Sequence, residues 1–166
     1  MVATIPVPIE FSLPEGWRSV PPDEVGTPDA AFVALHPGSV RNGFTANITL
    51  TGEIRGEDDE LTAIADEAVE RLRAGGAQDV KVGRRNEVGS PENPGLTQAV
   101  KLTIPLNGRP AELVQFQVFM ALRDQKDPSR RAVLHLVLSA LLEDQFEKVI
   151  DDFQKFLSTI KPESAR

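Results

Sequence analysis

Val100-Lys101-Leu102-Thr103-Ile104-Pro105-Leu106-Asn107-Gly108-Arg109-Pro110-Ala111-Glu112-Leu113-Val114-Gln115-Phe116-Gln117-Val118-Phe119-Met120-Ala121-Leu122 carries the pattern that decides the fold. Val100, Leu102, Ile104 and Leu106 alternate with Lys101, Thr103 and Pro105, and a period of two marks a strand with one greasy side. Asn107-Gly108 then predicts a two-residue type I′ turn, which needs positive φ at both central positions. On the return, Val114, Phe116, Val118, Met120 and Leu122 share one side, and Gln115 and Gln117 the other. Two strands joined this tightly must be antiparallel.

Further strands lie on either side. Toward the C-terminus, Ala132, Leu134, Leu136 and Leu138 alternate with Val133, His135, Val137 and Ser139. Toward the N-terminus, Phe44, Ala46, Ile48 and Leu50 alternate with Thr45, Asn47, Thr49 and Thr51. Residues 31–36 and 78–88 read as two more strands. Two stretches have helical spacing instead. Leu61, Ile64, Ala65, Ala68 and Leu72 form one apolar stripe, with Asp58 and Asp59 where a cap belongs and Gly75-Gly76 as the stop. Phe146, Val149, Ile150, Phe153, Phe156, Leu157 and Ile160 form a stronger one, with Glu143 and Asp144 in its first turn. Hairpin-joined strands followed by helices imply an α+β fold, an antiparallel β-sheet packed by helices, rather than βαβ crossovers. Seven of the 13 prolines (Pro6, Pro8, Pro14, Pro21, Pro22, Pro28 and Pro37) fall early, so that region should supply an edge strand, turns and covering loops. A single domain is expected over residues 5–161, with residues 1–4 and 162–166 as flexible ends.

Composition removes whole classes of function. A chain of 166 residues buries roughly 70% of its unfolded surface without covalent staples. With no cysteine, disulfides, thiolate metal sites and thiol nucleophiles are out. A net charge of −7, with 40% hydrophobic and 26% charged residues, argues against nucleic acid as a partner. No apolar run is long enough to insert in a membrane. Without a signal-length segment or a lipidation cysteine, the sequence as it stands leads to the expectation of a cytoplasmic protein.

Phe11-Ser12-Leu13-Pro14-Glu15-Gly16-Trp17 resembles the opening strand and P-x-G-W turn of PsbP-like proteins, a group that includes the actinobacterial LpqN-type lipoproteins. Phe146-Glu147-Lys148-Val149-Ile150-Asp151-Asp152-Phe153 resembles that family's last helix. The resemblance implies an α/β/α sandwich and a non-enzymatic role in binding or assembling other proteins. The lipoprotein branch's signal and lipidated cysteine have no counterpart here.

Chemical motifs are sparse. There is no phosphate-cradling glycine loop, no G-x-S-x-G elbow and no H-E-x-x-H pair, and no cofactor is expected. The two histidines, His36 and His135, lack a partner set in sequence. The acidic run Glu53, Glu57, Asp58, Asp59 and Glu60 lacks the calcium-loop spacing and reads as a solvated helix start, so no metal site is expected. Trp17 reads as a plug in the core.

One surface stands out. The odd-numbered residues of the strands are expected to share a polar sheet face built from Thr45, Asn47, Thr49, Lys101, Thr103, Gln115, Gln117 and His135. The apolar even-numbered positions are expected beneath the helices. The leading expectation is a protein- or ligand-binding module that uses this partly open face. The alternatives are a hydrolase-type enzyme built around His135 and a structural homodimer.

Overall fold

The computed structural model of the chain describes residues 9–22, 30–41, 43–56, 58–91, 93–123, 129–142 and 145–162. Pro6, Pro8, Pro28, Glu57, Glu143, Asp144 and the expected loose ends at 1–4 and 163–166 lie outside them. The elements run β1 (Ile9–Glu10), β2 (Arg18–Val20), β3 (Phe32–Leu35), a 3-10 turn (Pro37–Ser39), β4 (Asn47–Gly56), α1 (Leu61–Ala74), β5 (Gln78–Gly89), β6 (Pro94–Leu106), β7 (Arg109–Arg123), β8 (Arg130–Leu141), α2 (Phe146–Thr159) and β9 (Lys161–Pro162). Seven of the strands form one antiparallel sheet in the order β2-β3-β4-β8-β7-β6-β5, and β1 pairs with β9 beside it. Pro162, expected among the loose ends, therefore pairs with Ile9. The proline-rich opening supplies the edge strand β2, as its composition requires.

The β6–β7 turn sets which side chains share a face. Asn107 and Gly108 sit at φ +53 and +78, the signs a type I′ turn demands. Because only two residues intervene, Leu106 faces Arg109, Thr103 faces Glu112 and Lys101 faces Val114, so odd numbers oppose even ones. Lys101 and Thr103 therefore stand on the opposite face from Gln115 and Gln117, against expectation. From β7 to β8 and from β8 to β4 the parity is kept, with Gln115 opposite Ser139 and Thr51 opposite His135.

The helices also divide between the faces rather than sharing one. Val149, Phe153 and Phe156 of α2 pack on Ile48, Leu50, Val118, Leu134, Leu136 and Leu138, the even-numbered side, with Trp17 and Ile160 at the margin. Leu61, Ile64, Ala65 and Ala68 of α1 pack on Leu96, Phe119, Ala121 and Val133 on the other face. That layer continues through Val69 to Val100, Leu102, Leu113 and Leu141. The apolar members of β6 thus belong with α1, which accounts for their even numbering. Three layers result, α/β/α, and β8 at the centre is buried on both sides.

Local chemistry sets the helix ends. Glu60, rather than Asp58 or Asp59, is the N-cap of α1, and its side chain makes no capping bond. At the other end Ala77 N–H donates to Leu72 O at 3.1 Å and Gly76 N–H to Arg73 O at 3.1 Å, a Schellman closure. Its C′ residue, Gly76, sits at φ +98, where a side chain would be strained.

Candidate functional site

α1 is too narrow to cover its face of the sheet. Its apolar layer grips β6, β7 and the two ends of β8 at Val133 and Leu141, and no β4 residue belongs to the clusters beneath it. The uncovered strip is a cavity of about 610 Å3. Asn47, Thr49 and Thr51 of β4, His135 and Ser139 of β8, and Gln115 and Gln117 of β7 supply its polar wall. Ile64, Ala68 and Leu72 of α1, with Val137, supply the apolar one, and Arg71 stands in the lining on the helix. Alternation explains the chemistry. β4, β7 and β8 send their odd-numbered side chains to this face, and where no helix covers them most of those residues are hydroxyls and amides.

Five of the eight residues expected on the polar face meet here: Asn47, Thr49, Gln115, Gln117 and His135. Lys101 and Thr103 do not, because of the β6–β7 turn. Thr45 lies ahead of the first residue of β4, and its carbonyl accepts from Asn47 Nδ2 at 3.0 Å.

A hydrogen-bonded row of amides runs into the cavity from the far edge of the sheet. Arg85 Nε on β5 donates to Gln98 Oε1 at 2.7 Å. Gln98 Nε2 donates to Gln117 Oε1 at 2.7 Å and to Ala65 O at 3.3 Å, and Gln117 Nε2 donates to Gln115 Oε1 at 2.9 Å. Arg85 also reaches Asp66 on α1 at 2.5 Å. Gln98 and Gln117 are completely enclosed, so each bond matters: an unmade one would cost about 1–3 kcal/mol. Arginine can only donate, and this fixes the orientation of every amide after it. The row ends in the N–H groups of Gln115, and none of the described residues accepts from them. Gln98 escaped the sequence reading. Its signal was a polar residue in the same even-numbered register as Val100 and Leu102.

His135 lies flat against Phe119, with ring centroids 4.3 Å apart and an interplanar angle of 11°. Its Nε2 is enclosed without a hydrogen-bond partner among the described residues. Burial first, and then the nearby Arg71 cation, push its pKa down to about 4, so the ring is neutral near pH 7. Glu53, the carboxylate among the described residues of the lining, accepts from Arg55 Nε at 2.9 Å. Among the described residues, no three acidic or histidine side chains gather as metal ligands.

On the other face Trp17 is the expected plug. Its indole is buried in the α2 core, and Nε1 donates to Asp152 Oδ2 at 3.0 Å. The P-E-G-W turn also brings its ring to His36, with centroids 5.0 Å apart. No helix among the described residues is long and apolar enough to cross a membrane.

No protein-family model and no curated protein matches the sequence. The fold, however, recurs among solved structures. LpqN of Mycobacterium tuberculosis, involved in cell envelope biogenesis, superposes with a TM-score of 0.64 at 14% identity, over 93% of this chain and 83% of that one. Cyanobacterial PsbP from Synechocystis gives 0.61 at 13% identity, over 93% and 86%. The Ran-binding protein Mog1p of Saccharomyces cerevisiae gives 0.57 at 12% identity, over 93% and 89%.

Proposed function

We propose that this chain, which has the PsbP-like α/β/α fold, works as a non-enzymatic binding module whose working surface is the polar cavity beside α1. The observation that carries the reading is the uncovered strip itself. Outside the helix footprint the central strands β4, β7 and β8 leave hydroxyls and amides beside α1, with an enclosed, unpartnered imidazole behind them. Cavities of this size, part apolar and part polar, are the usual form of a binding site. The same fold in Mog1p belongs to a Ran-binding protein, which supports recognition as a use of this architecture. A hydrolase built on His135 has weaker physical support. Its imidazole is a poor base with a pKa of about 4, and Glu53, the carboxylate among the described lining residues, accepts from Arg55.

Filling the cavity tests the reading. Thr49→Trp places an indole in it from β4, and Lys101→Glu alters the opposite face as a control. Native lysate passed over each protein, with retained proteins and small molecules identified by mass spectrometry, should show loss for Thr49→Trp alone. Its melting temperature should stay within about 2 °C of the parent. An unchanged retained set for a folded Thr49→Trp overturns the proposal.

A further inference from the structure

We infer that the cavity beside α1 takes a small monocarboxylate with an apolar body, the carboxylate received by the Gln115 side-chain amide and the Arg71 guanidinium. This rests on the cavity being the working site. Three observations select the charge. The amide row, oriented from Arg85, ends at the cavity in the N–H donors of Gln115, and hydrogen-bonded chains polarise in the direction of donation. Arg71 lines the same cavity and is exposed, with no salt bridge among the described residues and Glu67, one turn back, as its charged neighbour. Glu53, the negative group among the described lining residues, is turned toward Arg55, which it shares with Glu67 and Asp59. The wall therefore offers the Gln115 donors and the Arg71 cation, whose neighbour Glu67 acts on it without a salt bridge, and a ligand carboxylate suits both.

The body and the charge number follow from the helix. Ile64, Ala68 and Leu72 stand on the same side of α1 as Arg71, so a ligand lying along them has apolar contact beside a cationic end. Arg71 is in the last turn of α1, where the negative end of the helix dipole opposes any anion in proportion to its charge, so a monoanion is penalised least. A planar carboxylate also suits the guanidinium fork. A volume of about 610 Å3 admits a ligand of this class.

Side-chain 1H–15N spectra of the intact chain provide the test, with hexanoate, benzoate, hexanamide and inorganic phosphate as probes. Hexanoate or benzoate should shift the Gln115 amide and Arg71 Nε–H signals saturably below about 10 mM, a range in which even millimolar affinity is visible. Hexanamide, equal in shape but uncharged, should bind at least about tenfold more weakly, and Arg71→Met should weaken the carboxylate by a similar factor. Phosphate should leave both signals in place. Equal binding of hexanamide, tighter binding of phosphate, or no saturable shift with either carboxylate overturns the inference. If the carboxylates fail while Thr49→Trp still abolishes retention from lysate, this assignment alone falls. If Thr49→Trp changes nothing, the binding reading falls with it.

Discussion

An imidazole in water titrates near 6.5, and in the folded chain burial and the Arg71 cation bring His135 to about 4. Between those two values the unfolded chain takes up a proton that the native state refuses. Stability is therefore complete above pH 6.5 and falls as the pH drops toward 4, by up to about 3 kcal/mol from this group. Urea denaturation at pH 7 and at pH 4.5 should show that loss, and His135→Phe should remove it from the difference between the two. A parent and variant with the same pH dependence would refute the assignment. At this scale the sequence was legible where pattern and chemistry agree. Trp17 after its Pro-Glu-Gly turn is the plug it was expected to be. His135 was placed on the right strand, but its neutrality comes first from burial by the surrounding elements and then from Arg71 on α1, neither of which its own strand shows. The partnership of Gln98 with Arg85, Ala65 and Gln117 joins segments up to 33 residues apart and leaves no local mark.

At the level of elements, period-two alternation located β4, β6, β7 and β8, and period 3.6 located both helices. What alternation could not supply was the relation between faces of successive strands. The two-residue turn at Asn107-Gly108 reverses odd and even across β6 and β7, so Lys101 and Thr103 left the candidate face. Turn length alone was enough to foresee this. Gln145, the N-cap of α2, was harder to anticipate because its side chain caps nothing in its own helix. Instead its Oε1 accepts from Leu141 N at 2.8 Å, and its Nε2 donates to Ser39 O at 2.6 Å and Phe44 O at 2.8 Å. One buried amide thus ties the end of β8 to the 3-10 turn and to the approach to β4. Gln145→Leu keeps the bulk and strands up to three backbone groups, and should lower stability by at least about 2 kcal/mol in urea denaturation. A loss within about 0.5 kcal/mol would mean that these bonds carry nothing.

For the whole molecule, the expected α/β/α sandwich is present, with its helices on opposite sides of the sheet. The layering explains why β8 reads as nearly continuous hydrophobic sequence: both of its faces are covered. Amide hydrogen exchange should follow the same order. β7 and β8 should be protected until global unfolding, while β2 and β5 at the margins exchange through local opening. Uniform protection across all seven strands would contradict the topology. The margins have a further consequence. β2 spans three residues and is followed by Pro21-Pro22, while β5 is broken by two register shifts and carries Lys81, Arg84 and Arg85. Neither border offers a long flat row of backbone groups onto which another chain could extend the sheet. Fibrous stacking is thereby discouraged at both ends, and recognition of other molecules is left to the broad surfaces of the sandwich.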